Sequence, residues 1–580
     1  MDWVKRYYIL LGISNVYVIE LWLFLCLSVY AFAKAYRKQP PESSKKVVFL
    51  QQRDRSDFLI YKRKNISMKI YSRAQIYEAD KVTVEKEGIP SINLMERAGG
   101  YIYEWVNERL KGGQVPIKVF CGIGNNGGDG MVLARYLIEN NYNVTTYVVN
   151  YNNKRVPDFL GAYDRLKSAT KNWPIVINEG DELPAISPQD IVVDAIFGIG
   201  LNRVVQDWVK ALFTAINNSN AYVLSIDIPS GMYMDMAPQE GDVIILPRFT
   251  LSFQAPKLPF FLPDTAPIMQ AWDILDIGLD PEYLATTATD VELIGKQEVI
   301  QMYRSRPQFA HKGMFGHSLL IGGSYGKMGA IILASKAAMR AGSGMVTAYI
   351  PQIGVPILQT ALPEVMTETD NFNGKVFEEI DFQTKANAIG IGPGMGTDSK
   401  TAKAMGDFLK TQKNPLVIDA DAINIIAAIP ELLADVPALS IFTPHFGELE
   451  RLIGKWEDDF DRLEKTAKFA KKHDIAIVMK GAHTITTYDM KLYINDSGNP
   501  GLATAGSGDV LTGVITGLLA QGYHPMEAAL MGVYFHGRAA DIAINQYGIE
   551  GLIASDVTEF LGRAYMDLFA KPEQPPQEEG

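Results

Sequence analysis

Three short apolar runs, each ending at a glycine- or serine-rich turn near a carboxylate, constrain this chain more than any other feature. Ile117–Cys121 is followed by GIGNNGGDG and then by the helix-forming MVLARYLIEN. Ile191–Phe197 (IVVDAIF) carries Asp194 in otherwise apolar company, just before Gly198-Ile199-Gly200-Leu201. Tyr222–Ile228 (YVLSIDI) carries Asp227 just before Pro229-Ser230-Gly231. Strands alternating with helices predict a parallel sheet, and such sheets bind ligands beyond the carboxyl ends of their strands. A charge in a buried strand end is costly unless it is paired or meets a ligand or cation. Turn or helix capping would explain any one of these aspartates alone, but three decorated tips point to one shared crevice.

Size and charge narrow the class. A chain of 580 residues, 47% hydrophobic, is too apolar to be wholly disordered and long enough for two or three α/β cores. The net charge of −11 argues against a general nucleic-acid binder, which would be basic. Two cysteines, Cys26 and Cys121, exclude a disulfide scaffold and a cysteine-rich zinc site. An acidic intracellular protein is the expected class, and a homo-oligomer is expected on its large surface.

The start of the chain is foreign to the rest. From Tyr7 to Ala33 only Glu20 is charged, and it splits an apolar run too short on either side for the roughly 20 residues of a membrane span. If the segment inserts, the basic flank Lys34, Arg37, Lys38, Lys45 and Lys46 keeps the downstream chain on the cytoplasmic side, tethered by residues 7–33. The other reading is a misassigned start, because MKIYSRAQIYEADKVTVEKEGIP, from Met68, looks like a natural beginning. Residues 1–67 are therefore an extension of either kind, and the protein is expected in the cytoplasm.

The string Gly122-x-Gly124-x-x-Gly127 formally fits a dinucleotide fingerprint, a weak signal alone. A dehydrogenase would also need an acidic residue at the end of the next strand, and NVTTYVVNYNN offers none. Asn126, Asp194 and Ser230 instead supply hard oxygen donors that suit an alkali or alkaline-earth ion. CGIGNNGGDG, VVDAIFGIGL and SIDIPSGMYMD together resemble the signature segments of the NAD(P)H-hydrate epimerases, over residues 68–284. The resemblance implies a Rossmann-like domain that binds the hydrated nucleotide through Asn125, Asn126, Gly127, Gly128, Asp129, Gly198, Ile199, Gly200, Leu201, Asn202, Arg203, Val204 and Asp227. It also implies K+ on Asn126, Asp194 and Ser230. Ile199 stands where the family usually has Thr, and Val204 where Pro is common. Asp194 is the expected acid/base residue, unless it acts only as an ion ligand.

After a linker at 285–295 the pattern changes. FGHSLLIGG, IGIGPGMG, LVIDAD, LSIFTPHFGE and AIVMKGAHT are strand-plus-turn units, and NPGLATAGSGDVLTG opens an apolar helix. Gly506-Ser507-Gly508-Asp509 would put free N–H groups at that helix start, where a phosphate oxyanion is stabilised. Asp509 is placed to take the proton of a hydroxyl being phosphorylated. Residues 296–570 resemble the ribokinase-like fold and, within it, the ADP- or ATP-dependent NAD(P)H-hydrate dehydratases. That family implies Ala330, Gly394, Gly396, His445 and Asp509 on the hydrate. It implies Lys480, Gly481, Ala482, His483, Thr484 and Gly508 on the adenine nucleotide, with Mg2+. Phe446 replaces a common Pro and Ser507 a common Thr.

The expected whole is an α/β protein of two doubly wound domains, one Rossmann-like and one ribokinase-like, with a disordered tail at 571–580. It would epimerise NADHX and NADPHX and dehydrate the S form with ADP, giving AMP and phosphate; ATP stays open as the donor. A vitamin or sugar kinase with a nucleotide-binding first half is the rival enzyme. A membrane-tethered binding protein is the rival outside catalysis.

Overall fold

The computed structural model describes residues 69–370 and 374–570. The extension at 1–67 and the tail at 571–580 lie outside the described residues. Two parallel-rich sheets organise the described chain.

The first half is built on seven strands: β2 (Ile117–Cys121), β3 (Val144–Val149), β4 (Ile175–Ile177), β5 (Ile191–Ala195), β6 (Tyr222–Ile226), β7 (Phe249–Phe253) and β8 (Trp272–Leu275). Their order is β4-β3-β2-β5-β6-β7-β8, all parallel. The chain runs outward from β2 through β3 to β4, then returns to lay β5 on the other side of β2. Such a reversal opens a crevice at the strand ends, here between β2 and β5. The helix after β2 starts inside the glycine string, at Asn125, and not at Met131. Glycine is normally a poor helix former, but tight packing requires it here. A Cβ on Gly127 would lie 1.9 Å from the Gly122 carbonyl oxygen, and one on Gly128 would lie 2.4 Å from the Met95 sulfur.

The second half repeats the logic. Its strands are β9 (Val291–Ile294), β10 (His317–Ile321), β11 (Met345–Tyr349), β12 (Met366–Glu368), β13 (Ala388–Ile391), β14 (Leu416–Ile418), β15 (Ile441–Phe442), β16 (Ala476–Met479), β17 (Ile485–Tyr488) and β18 (Lys491–Asn495). With β1 (Lys69–Ile70) they form one sheet in the order β1-β9-β18-β17-β16-β15-β14-β13-β10-β11-β12. The switch point falls between β10 and β13, the two neighbours on which the chain reverses.

The stretch expected as a plain linker is structured: β9 lies within it and pairs in parallel with β18. On its other side β9 pairs antiparallel with β1, so the first described strand of the first half closes the edge of the second half's sheet. The halves also meet around Asp264 and Asp459, each of whose backbone N–H groups donates to the other's carboxylate, at 2.7 and 3.0 Å. Met531, Tyr534 and Phe535 are core, as their helical spacing suggests. No helix among the described residues is long and apolar enough to cross a membrane.

Candidate functional site

At the β2/β5 switch point lies a cavity of about 670 Å³. Asn125, Asn126, Asp129, Gly198, Ile199, Gly200, Leu201, Asn202, Arg203 and Asp227 line it, as the sequence suggests. Gly127 and Gly128 do not; they face Gly122 and Met95, so their role here is close packing. Val204 is largely exposed and also outside the cavity wall.

Asp194 lies beneath the cavity, fully buried, and is absent from its lining. Its Oδ2 accepts hydrogen bonds from Ser225 Oγ at 2.7 Å and from the Ser230 N–H at 2.9 Å. Its Oδ1 accepts from Ser230 Oγ and from the Ile196 N–H. Burial raises the carboxyl's pKa while these donors pull it down. A carboxyl so enclosed has no face open to a substrate, which favours a role as ion ligand over proton transfer. Asn126 completes the set. Its Nδ2 donates to the Ile226 carbonyl at 3.2 Å, while its Oδ1 is buried with no partner. An orphaned buried amide oxygen costs free energy unless something fills its place, and hard oxygens suit an alkali ion. The residues present therefore fit K+.

Two cavity residues were not legible in the motifs. Lys257, only 1% exposed, donates to the Phe253 and Ala255 carbonyls and lies 3.5 Å from Asp227 Oδ1. Asp227 itself accepts the Ile199 N–H at 2.9 Å and holds a left-handed φ of 69°. Asp80, on the helix Arg73–Glu87, also lines the cavity. A lysine between Pro256 and Leu258 in an apolar stretch was the one available hint; Asp80 sits in an ordinary charged helix and gave none.

The second centre gathers loops from the ends of β13 to β16. The helix after the last glycine turn starts at Ser507, capped by Gly506 at φ 89°, so Asp509 lies in its first turn. Lys480 Nζ reaches Asp419 Oδ1 at 2.9 Å and Glu448 Oε2 at 3.9 Å. A Cβ on Gly508 would stand 3.2 Å from the same Nζ, so Lys480 and Gly508 are neighbours, as the resemblance implied. Asp419 Oδ2 accepts from Thr512 Oγ1 at 2.6 Å. Burial, with Asp419 nearby, pushes the Asp509 carboxyl up to about 7. On the other rim Gly394 packs beside Ala330, and Asp421 accepts the Gly396 N–H at 2.9 Å.

His445 caps the helix Phe446–Ile453: its Nδ1 accepts from the Gly447 and Glu448 N–H groups while much of the ring stays exposed. His483 is half-buried, its desolvation lowering its pKa, and meets the Phe261 ring of the first half edge-on at 5.1 Å. Among the described residues no cluster of three or more His, Cys, Asp or Glu is arranged to hold a metal. Asp419, Glu448 and Asp509 nevertheless gather hard carboxylate oxygens near Lys480, a donor type that suits Mg2+. Asp419, Glu448 and Thr512 were not singled out by sequence, because only the register of β14, β15 and the final helix brings them to Lys480.

Comparison with known proteins now adds the family. Residues 91–258 match the family described as YjeF-related protein N-terminus, and residues 318–563 match NAD(P)H-hydrate dehydratase. The bifunctional NAD(P)H-hydrate repair enzyme Nnr of Moorella thermoacetica is 34% identical over 520 residues, covering 85% of this chain and 96% of that protein. The chain belongs to the family of bifunctional NAD(P)H-hydrate repair enzymes. The repair enzyme of Coxiella burnetii is 35% identical over 495 residues, covering 84% and 97% of the two chains. A crystal structure of the ADP/ATP-dependent NAD(P)H-hydrate dehydratase of Bacillus subtilis, co-crystallised with ATP/Mg2+, is similar over 47% of this chain and 97% of that one. Their identity is 27% and the TM-score 0.40. In this family the first half is the epimerase half and the second the dehydratase half.

Proposed function

We propose that this chain returns hydrated NADH and NADPH to use through its two switch-point sites. Residues 68–284 would interconvert the R and S hydrates, and residues 296–570 would dehydrate the S form at the expense of ADP or ATP. The observation that carries the reading is the pairing of two crevices in one chain. One is a cavity beside the buried Asp194, and the other a helix start with Asp509 close to Lys480.

In the dehydratase half, Asp509 takes the proton of the C6 hydroxyl as that oxygen accepts a phosphoryl group. Its raised pKa, about 7, suits a general base at neutral pH. N–H groups at the start of Ser507–Ala520 hold the transferred phosphoryl oxygens. Lys480, positioned by Asp419, and Gly508 hold the nucleotide phosphates. Mg2+ would shield phosphate charge when bound with the nucleotide. Hydroxyl thereby becomes phosphate, a better leaving group, and the ring nitrogen's lone pair drives its departure.

In the epimerase half, Asn125 and residues Gly198–Arg203 hold the nucleotide in the cavity. Asn126, Asp194 and Ser230 would hold K+, which supplies a fixed positive charge. Incubation of the chain with racemic NADHX, Mg2+, K+ and either ADP or ATP, read by absorbance of the reduced nicotinamide, tests the whole. Complete recovery of NADH is expected. Recovery of the S half alone would refute the epimerase function, no recovery would refute the dehydratase function, and unchanged R and S pools on chiral separation would then refute the epimerase function as well.

A further inference from the structure

The epimerase cavity contains a carboxyl that the expected machinery leaves unused. Asp80 follows buried Ala79 on the helix Arg73–Glu87 and lines the same wall as Asn126, Gly198 and Asp227. Its carboxyl makes no hydrogen bond and no ion pair among the described residues. Asp129 shares that state, whereas the remaining carboxyls there differ. Asp158 accepts from Ser91 Oγ, and Asp227 is committed to the Ile199 N–H and to Lys257.

Charge balance separates the roles further. Tyr77 from the same helix, Asp129 from the helix Asn125–Glu139, and Asp227 and Lys257 from the ends of β6 and β7 form the charged and titratable surroundings of Asp80. Asp80 and Asp227 thus share one buried ammonium, Lys257, with Asp129 close to both, and neighbouring carboxylates resist ionising together. Asp227 has the nearest claim on Lys257. Burial, with Asp227 and Asp80 nearby, pushes the Asp129 carboxyl well above the ordinary range. Burial and the neighbouring Asp227 charge lift Asp80 to about 7, where it can give and take a proton at neutral pH.

We propose that Asp80 exchanges the proton that drives epimerisation at C6 of the hydrate, and that Lys257 is a positioning residue that holds Asp227 beside it. This rests on the epimerase reading above. The protonated carboxyl gives its proton to the C6 oxygen. The C6–O bond breaks, its electron pair leaving on water, while the N1 lone pair forms an N1=C6 iminium. Water then adds to the opposite face through an oxygen lone pair, the double-bond pair returns to N1, and the released proton goes back to the Asp80 carboxylate. One water is lost and one regained.

The test uses the full chain and pure R-NADHX, following both R-to-S exchange and incorporation of labelled oxygen from solvent water. Asp80→Asn is expected to lower kcat for both by about 100-fold or more, the usual worth of a positioned proton-transfer group, with KM little changed. Wild-type exchange should fall as pH rises through about 7, and Asp80→Glu should restore part of the rate with that limb displaced. Dehydration of pure S-NADHX, carried by the other half, reports that the second half is intact, and a wild-type-like near-UV circular dichroism spectrum with unchanged thermal unfolding reports that the first half is folded. Wild-type-like exchange in Asp80→Asn would overturn the proposal, as would a loss confined to KM. Exchange without oxygen incorporation would overturn the C–O cleavage step. A wild-type chain that dehydrates the S form but exchanges nothing would sink the epimerase reading itself, and this proposal with it.

Discussion

Both halves place a carboxylate at a parallel-sheet switch point, yet they neutralise it differently. Asp194 is surrounded by neutral donors, two serine hydroxyls and two backbone N–H groups, beneath a cavity it does not touch. Asp509 stands in a charged group with Asp419, Lys480 and Glu448, where anions and cations are both at hand. Neutral donors around a buried carboxylate leave net negative charge for a cation to balance. A lysine already paired with one carboxylate beside a helix start serves a phosphate instead. The contrast fits the two proposed chemistries, exchange at a stereocentre in the first half and phosphoryl transfer in the second.

The sharpest way to break this comparison is to remove each carboxylate in turn. Asp509→Ala should reduce nucleotide-dependent NADH recovery by about 100-fold or more, the range of a lost general base, with R/S exchange intact by chiral separation. Asp194→Ala should do the reverse, abolishing exchange and its K+ dependence while pure S-NADHX is still dehydrated. Loss of both reactions in either folded variant would end the division of labour.

Next comes Lys480→Met. Removing a charge-assisted contact of about 1.5–3 kcal/mol should raise the nucleotide KM roughly tenfold or more, and leave exchange untouched. Titration gives a smaller effect. Dehydration should rise as pH passes upward through about 7, where Asp509 becomes a base. Its raised folded-state pKa means the folded chain binds this proton more tightly than the unfolded chain. Stability from this group is thus complete in acid, and is lost as pH climbs from the ordinary carboxyl range through about 7. Asp509→Asn should therefore raise Tm above neutrality relative to wild type and change it little in acid. The smallest effect belongs to Asp264→Ala at the contact between halves. Losing its hydrogen bond with Asp459 should cost about 1 kcal/mol by denaturant titration, with both activities retained.

What could be read from sequence was the part written locally. Apolar runs ending in glycine and aspartate located β2, β5, β6 and β13 to β16, and the close pairing of Asp194 with Ser230 follows from neighbouring strands. Asn126 was legible as a side-chain oxygen at a strand end, in a string that resembles the epimerase signature. Three things were not. The short strand β9 hides in a polar stretch, and only its partners β1 and β18 make it a strand. Helix starts at Asn125 and Ser507 run through glycines that propensity would assign to loops, because tertiary packing overrides it. Asp80, Lys257 and Asp419 reach their sites from elements distant in sequence; the flanks of Asp80 give no sign, and those of Lys257 and Asp419 show an apolar stretch and a strand end without naming a partner.

Mixing the two single variants tests the central claim most directly. Asp194→Ala and Asp509→Ala, each unable to convert racemic NADHX fully, should together recover all of it as NADH in the presence of ADP, Mg2+ and K+. A mixture that recovers no more than Asp194→Ala alone would contradict two separable sites.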